Sequence, residues 1–226
     1  MIKKTILFFV SVFDYFHKKK IISFLKNLKI DNLSMIFDVG AHKGESITFF
    51  LSNFRVKKII SFEASPINFN ILKKNTKKFN IKFNNTEIII ENIGIGSNSK
   101  KVIFHQLPES SSSTINKLNI DSSYYKKKSK ILNFFRNQNP SIPIEIKIDN
   151  LYNYMNSKNI LFVDILKIDT EGYEYEILKG LDDSIKTIKY IKLEHHFDDM
   201  ILKNYVFSDI SHLLKKNNFK QIYKAK

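Results

Sequence analysis

Short apolar runs alternate with helical patterns along this chain, and four of the runs end against an acid. Met35 to Val39 closes on Asp38-Val39-Gly40, and Lys58 to Phe62 ends at Glu63. Leu161 to Ile168 ends at Asp169, and Ile188 to Leu193 ends at Glu194. Strands that alternate with helices argue for an α/β domain, a mostly parallel sheet with helices on both faces. Ligands of such sheets bind beyond the carboxyl ends of the strands. The four acids therefore mark one edge as the place to look for chemistry.

The remaining pattern fills in the unit. Gly44 to Asn53 reads as a helix, and Pro66 opens another at its favoured first position, running to about Phe79. Glu87 to Glu91, Lys101 to His105 and Ile144 to Ile148 read as strands. Leu151 to Met155, Tyr173 to Leu181 and Phe207 to Lys216 read as helices, and Phe219 to Tyr223 as a last short strand. Residues 106–143 differ: a run of four serines, a lysine run and three of the four prolines point to an insertion over the sheet. Its composition and its place between two strands suggest a cover for an acceptor site. Residues 1–34 form a separate N-terminal helical segment, with 35–226 as the main domain. Ile6, Phe9, Val10, Phe13 and Phe16 fall at helical spacing, which favours an amphipathic helix on the domain or on a membrane surface.

Composition excludes several classes. With no cysteine, disulfide scaffolds, thiolate zinc sites and cysteine nucleophiles are ruled out. No apolar run approaches the roughly 20 residues of a membrane span. The expected location is cytoplasmic, with peripheral membrane contact through the N-terminal helix. The net charge is +15, yet Arg55 and Arg136 are the only arginines among 37 basic residues. Nucleic-acid sites favour arginine for its bidentate contacts, so a solvated lysine surface is the better reading and no nucleic-acid partner is expected.

Only six glycines occur, at 40, 44, 94, 96, 172 and 180. In FDVGAHKGE, Gly40 lets the backbone approach a ligand and Gly44 opens the helix. This is not the three-glycine dinucleotide pattern. Asp38 beside the turn would repel a pyrophosphate and suits a ligand with a cationic end. Glu63, at the end of the next strand, is placed to accept hydrogen bonds from two ribose hydroxyls. Asn92, past the third strand, is a candidate for framing a base. Asp169 and Glu171 sit at the end of a later strand, and His195 and His196 follow the strand after that. Histidine is the usual general base near neutral pH. Spacing alone does not choose between the two histidines, and Asp169 is the next candidate base. A capped helix start also explains Asp169 and Glu171. The spacing of these groups matches no metal motif, so no metal is expected.

Four blocks taken together, FDVGAHKGE, FEASP, ILKIDTEGYEYEILKG and LEHHF, resemble the FkbM family of S-adenosylmethionine-dependent methyltransferases. SSSSTINKL and IKIDNL resemble two further blocks of that family. The resemblance covers residues 35 to 200 approximately. It implies a class I methyltransferase (Rossmann-like) fold, S-adenosylmethionine as cofactor, and O-methylation of a sugar, glycan or related small molecule. It implies Asp38, Gly40 and Glu63 as cofactor residues, and the reading of the turn and strand ends adds Ala41, His42, Gly44, Asn92 and Asp169. The catalytic candidates are His195, His196, Asp169 and Glu171. Ala64 stands where the family commonly has proline, and the chain stops soon after Phe219, so the last hairpin of the sheet is expected to be short or missing. Two other classes compete: a non-catalytic Rossmann-like binding module with a basic surface, and an NAD-type oxidoreductase using Tyr124 and Lys128.

Overall fold

The computed structural model describes residues 18–107, 113–127, 141–195, 197 and 199–224. Its centre is a five-stranded, wholly parallel sheet in the order β3-β2-β1-β7-β8. These strands are β1 (Asn32–Val39), β2 (Arg55–Phe62), β3 (Glu87–Glu91), β7 (Val163–Ile168) and β8 (Ile188–Leu193). A second, three-stranded sheet has the order β4-β6-β5, from β4 (Gly94–Ile95), β5 (Lys100–Gln106) and β6 (Ile142–Asp149). The helices are α1 (Glu45–Asn53), α2 (Pro66–Lys82), α3 (Leu151–Ser157), α4 (Glu174–Lys179) and α5 (Phe207–Lys216), with a 3-10 helix over Asp182–Thr187.

Side chains alternate across a strand, and the central strands use both faces. Ile36, Ile59 and Ile165 point to one core, which α1 and α2 cover with Ile47, Phe50 and Leu72. Phe37, Ile60 and Leu166 point to the other. That second core holds Leu151 and Met155 of α3, Ile177 of α4 and Ile210 of α5, together with Ile95, Phe104, Ile146 and Ile148 of the small sheet. The expected helical cover on both faces is present, and the small sheet shares one face with the helices. The strand expected over Lys101 to His105 belongs to this small sheet and pairs antiparallel with β6.

The termini differ from expectation. The described part of the N-terminal segment is helical over 18–27, and β1 begins at Asn32, ahead of the boundary expected at Met35. The amphipathic positions Ile6 to Phe16 lie outside the described residues. Phe219 to Tyr223 is not a strand. Instead the Tyr223 ring packs 4.7 Å from Phe24 of the N-terminal helix, so this segment closes on a helix and adds nothing to the sheet. Leu161 and Phe162 are apolar but exposed, and β7 begins after them at Val163.

The small sheet and α4 meet where the backbones of Gly96 and Gly180 touch. A Cβ on Gly180 would lie 2.0 Å from the Gly96 carbonyl oxygen. Gly180→Ala is therefore expected to cost about 2 kcal/mol or more of stability. Urea unfolding checks this, and a variant as stable as the parent would contradict so close an approach.

Candidate active site

The five parallel strands stop level with one another. Val39 pairs with Phe62 on one side and Ile168 on the other, Phe62 pairs with Glu91, and Ile168 pairs with Leu193. The next residues form one row along the carboxyl edge, in the order Asn92, Glu63, Gly40, Asp169, Glu194. The ladder runs one step into that row. Glu63 N donates to Glu91 O at 3.0 Å, Gly40 N to Phe62 O at 3.0 Å, Asp169 N to Val39 O at 3.1 Å, and Glu194 N to Ile168 O at 3.0 Å.

At the centre of the row the chain turns through Gly40, whose φ of +81° is in the left-handed region. A Cβ there would lie 1.8 Å from the Asp169 carbonyl oxygen, so only glycine fits. Ala41 is buried beneath the turn, and Gly44 N closes it by donating to Ala41 O at 2.9 Å. His42, also at positive φ, donates its backbone N–H to Glu63 Oε2 at 2.7 Å. Ser65 N donates to Glu63 Oε1 at 2.8 Å. One carboxylate thus ties the turn after β1 to the start of α2. Each of its oxygens accepts one of these backbone bonds, and the Asn68 side chain donates to the same carboxylate. Burial pushes the Glu63 carboxyl up to about 7, against the pull of these donors. The His42 ring lies 3.1 Å from Glu45 Oε1. Burial works to raise the Glu45 carboxyl, but the His42 ring and nearby backbone N–H groups hold it down at about 2. Asn92 turns its amide back to donate to Glu63 O at 2.8 Å.

Asp38 is wholly buried and faces Lys167, a lysine inside β7 whose side chain is 4% exposed. Lys167 Nζ lies 3.0 Å from Asp38 Oδ1, 2.8 Å from the Gly40 carbonyl oxygen and 3.4 Å from Asp169 Oδ2. Burial works against the ammonium, but Asp38 and Asp169 outweigh it, and Lys167 holds its proton above the ordinary lysine range. Asp38 accordingly has no surface open to a ligand and acts on the turn through Lys167. Asp169, with 35% of its side chain exposed, is the carboxylate of this triad open to solvent.

Asp169 leads into a second turn, where Glu171 and Gly172 both have positive φ. The serine-rich segment clamps this turn: Thr114 Oγ1 donates to Glu171 O at 2.7 Å, and Asn116 Nδ2 donates to Gly172 O. The same segment is strapped to α2. Ser113 Oγ accepts from Leu107 N at 2.9 Å and Gln106 Nε2 at 3.0 Å, while Ser65 Oγ donates to Gln106 Oε1. Of the region expected to cover the site, residues 108–112 and 128–140 lie outside the described residues. β7 and β8 are parallel neighbours, which brings His195 to the strand end beside Asp169. His196 lies outside the described residues, as does Lys128. Tyr124 is 45% exposed on a short helical turn. Among the described residues no group of three or more His, Asp or Glu side chains is arranged to hold a metal ion, and no helix is long and apolar enough to cross a membrane.

Sequence reasoning passed over Lys167, Glu174, Gln106, Thr114 and Asn116. For Lys167 a signal existed: a charge inside an apolar strand flanked by buried neighbours needs a charged partner. Thr114 and Asn116 carry no such signal, since their donors act on carbonyls that sequence does not locate.

A family model for the methyltransferase FkbM domain matches residues 38–220. The fold is similar to that of methyltransferase FkbM from Methylobacillus flagellatus KT, with a TM-score of 0.51 and 16% sequence identity. The match covers 82% of this chain and 37% of that one, so this chain spans well under half the length of that protein. No curated protein matches the sequence.

Removing the buried cation tests the triad. Lys167→Met strands the Asp38 carboxylate in the core and is expected to cost about 3–5 kcal/mol. Adding Asp38→Asn is expected to recover at least half of that loss, because no buried charge is then left unpaired beside it. Urea titration of both variants measures the coupling, and equal losses would show that the pair does not hold the turn.

Proposed function

The chain belongs to the FkbM methyltransferase family, and from that premise we propose that it uses S-adenosylmethionine to O-methylate a sugar, glycan or related small molecule. Glu63 carries this reading. It is a buried acid next to the Gly40 turn, and it accepts from the His42 and Ser65 backbone N–H groups and from the Asn68 side chain. Ribose hydroxyls are donors suited to the acceptor capacity that remains on it. Asp169, exposed on the other side of Gly40, is the carboxylate suited to a cationic end of the same ligand. The residues present therefore fit an adenosyl cofactor, with Glu63, the Gly40–Gly44 turn, Asn92 and Asp169 holding it.

When bound, S-adenosylmethionine supplies a methyl group already activated on a sulfonium. The chain's own work is to hold an acceptor hydroxyl in line and to take up its proton. His195, following the strand next to that of Asp169, is the proposed base, and Asp169 and Glu171 are the residues proposed to orient the acceptor. Methylation of a hydroxyl oxygen calls for such a base, since the hydroxyl must lose its proton.

Calorimetry with S-adenosylhomocysteine tests the cofactor. Glu63→Ala is expected to weaken binding by about 1.5–3 kcal/mol, the worth of hydrogen bonds to a charged acceptor. The pH dependence follows from the Glu63 carboxyl, raised from 4.5 to about 7 in the folded chain. Between those values the folded chain holds a proton that the unfolded chain has lost, so this group makes the ligand-free protein less stable as pH rises. Ribose hydroxyls favour the ionised form, so affinity is expected to rise up to about pH 7 and to level off above it. No binding at any pH, or full affinity in Glu63→Ala, would contradict the proposal.

A further inference from the structure

Glu174 is a charged residue with no exposed surface, in the first turn of α4, and the proposed methyl transfer gives it no part. Its Oε1 accepts from Gly172 N at 2.8 Å and lies 3.4 Å from Thr170 Oγ1. Its Oε2 accepts from the Tyr205 hydroxyl and lies 3.9 Å from His195 Nδ1. Burial works to raise this carboxyl, but the donors around it outweigh burial and hold it below the ordinary range, so it stays ionised. Tyr205 is pushed the other way, by burial and by Glu174, and remains a donor.

The His195 side chain is 7% exposed and boxed by aromatic rings. Its ring centroid lies 4.8 Å from Phe197, 5.3 Å from Phe207 and 5.9 Å from Tyr205. Nδ1 is buried and makes no hydrogen bond, and the carboxylate of Glu174 faces it. A buried polar atom without a partner is costly, and the facing charge decides which proton it prefers. An Nδ1 lone pair aimed at a carboxylate would be repelled, whereas an Nδ1–H would be attracted. With the proton on Nδ1, Nε2 is left as the acceptor.

We propose that Glu174 is a positioning residue: it fixes His195 as the Nδ1–H tautomer, leaving Nε2 to take the acceptor's proton, while its other oxygen anchors the turn that follows Asp169. This rests on His195 being the base of the methyl transfer. The groups facing the carboxylate are Thr170 and Gly172 from that turn, His195 from the end of β8, and Tyr205 from the segment before α5. One side chain therefore couples the ends of β7 and β8, the two strands that frame the acceptor side of the row. The 3.9 Å separation is longer than a hydrogen bond, and catalytic contacts of this kind are often long without substrate.

The tautomer is read directly by nitrogen NMR of the full chain labelled at histidine, above the pH range in which histidine titrates. His195→Gln identifies the signals. The expected wild-type result is a protonated Nδ1 and a bare Nε2. Glu174→Gln keeps the shape but presents an amide donor to Nδ1, and is expected to move the proton to Nε2. Glu174→Asp is expected to keep the wild-type tautomer. A wild-type Nε2–H form, or the same tautomer in wild type and Glu174→Gln, would overturn the proposal. If Glu174→Gln does not fold, Tyr205→Phe decides: it is expected to keep the proton on Nδ1, and a reversal would assign the control to Tyr205. Calorimetry with S-adenosylhomocysteine on the same samples separates the two readings. The expected tautomer without binding overturns the cofactor assignment alone, and binding with the wrong tautomer overturns the role of Glu174 alone.

Discussion

A lysine ammonium almost sealed from water sits where β1 and β7 run side by side, and the parts of the site converge on it. Lys167 has three N–H donors, and three acceptors surround it: Asp38, Asp169 and the carbonyl of Gly40. Burying such a charge costs several kcal/mol unless it is paired and hydrogen-bonded, so the geometry around it has little freedom. That rigidity passes to the Gly40 turn on one side and to Asp169 on the other. Two carboxylates share one cation, and Asp169 is the member that water reaches.

Away from this point the site is held by groups that bond to backbone. Glu63 joins the turn after β1 to the start of α2 through two N–H groups. Thr114 and Asn116 grip the carbonyls of Glu171 and Gly172, and Gln106 links their segment to Ser65. This edge is thereby built from pieces far apart in sequence. Each is fixed to the sheet by polar contacts that have little competition from water.

Much of the fold was legible because its signals are local. The apolar strands, the proline that opens α2 and the acids at the strand ends all follow from chain patterns of a few residues. The alternation of strand and helix then placed Glu63, Gly40 and Asp169 on one edge, since parallel crossovers put all carboxyl ends on the same side. What escaped depends on long-range pairing. Asp38 reads as a ligand acid in sequence, but its partner is 129 positions away, in a strand chosen by sheet order. Leu161 and Phe162 extend an apolar run that pairing does not use. Tyr223 finds an aromatic ring of the N-terminal helix in place of a strand partner. Glu174 looks like a helix-start acid, and its burial arises from Tyr205 and His195, which arrive from later elements.

The central claim is that one row of residues at the carboxyl edge binds cofactor on the Glu63 side and works on the acceptor on the His195 side, with Gly40 between. A crystal structure of the chain with S-adenosylhomocysteine tests it most directly. The account predicts the ribose hydroxyls within hydrogen-bond distance of Glu63, the amino-acid end beside Asp169, and the sulfur on the His195 side of the Gly40 turn. Ligand density elsewhere on the molecule, or a ribose held without Glu63, would contradict it.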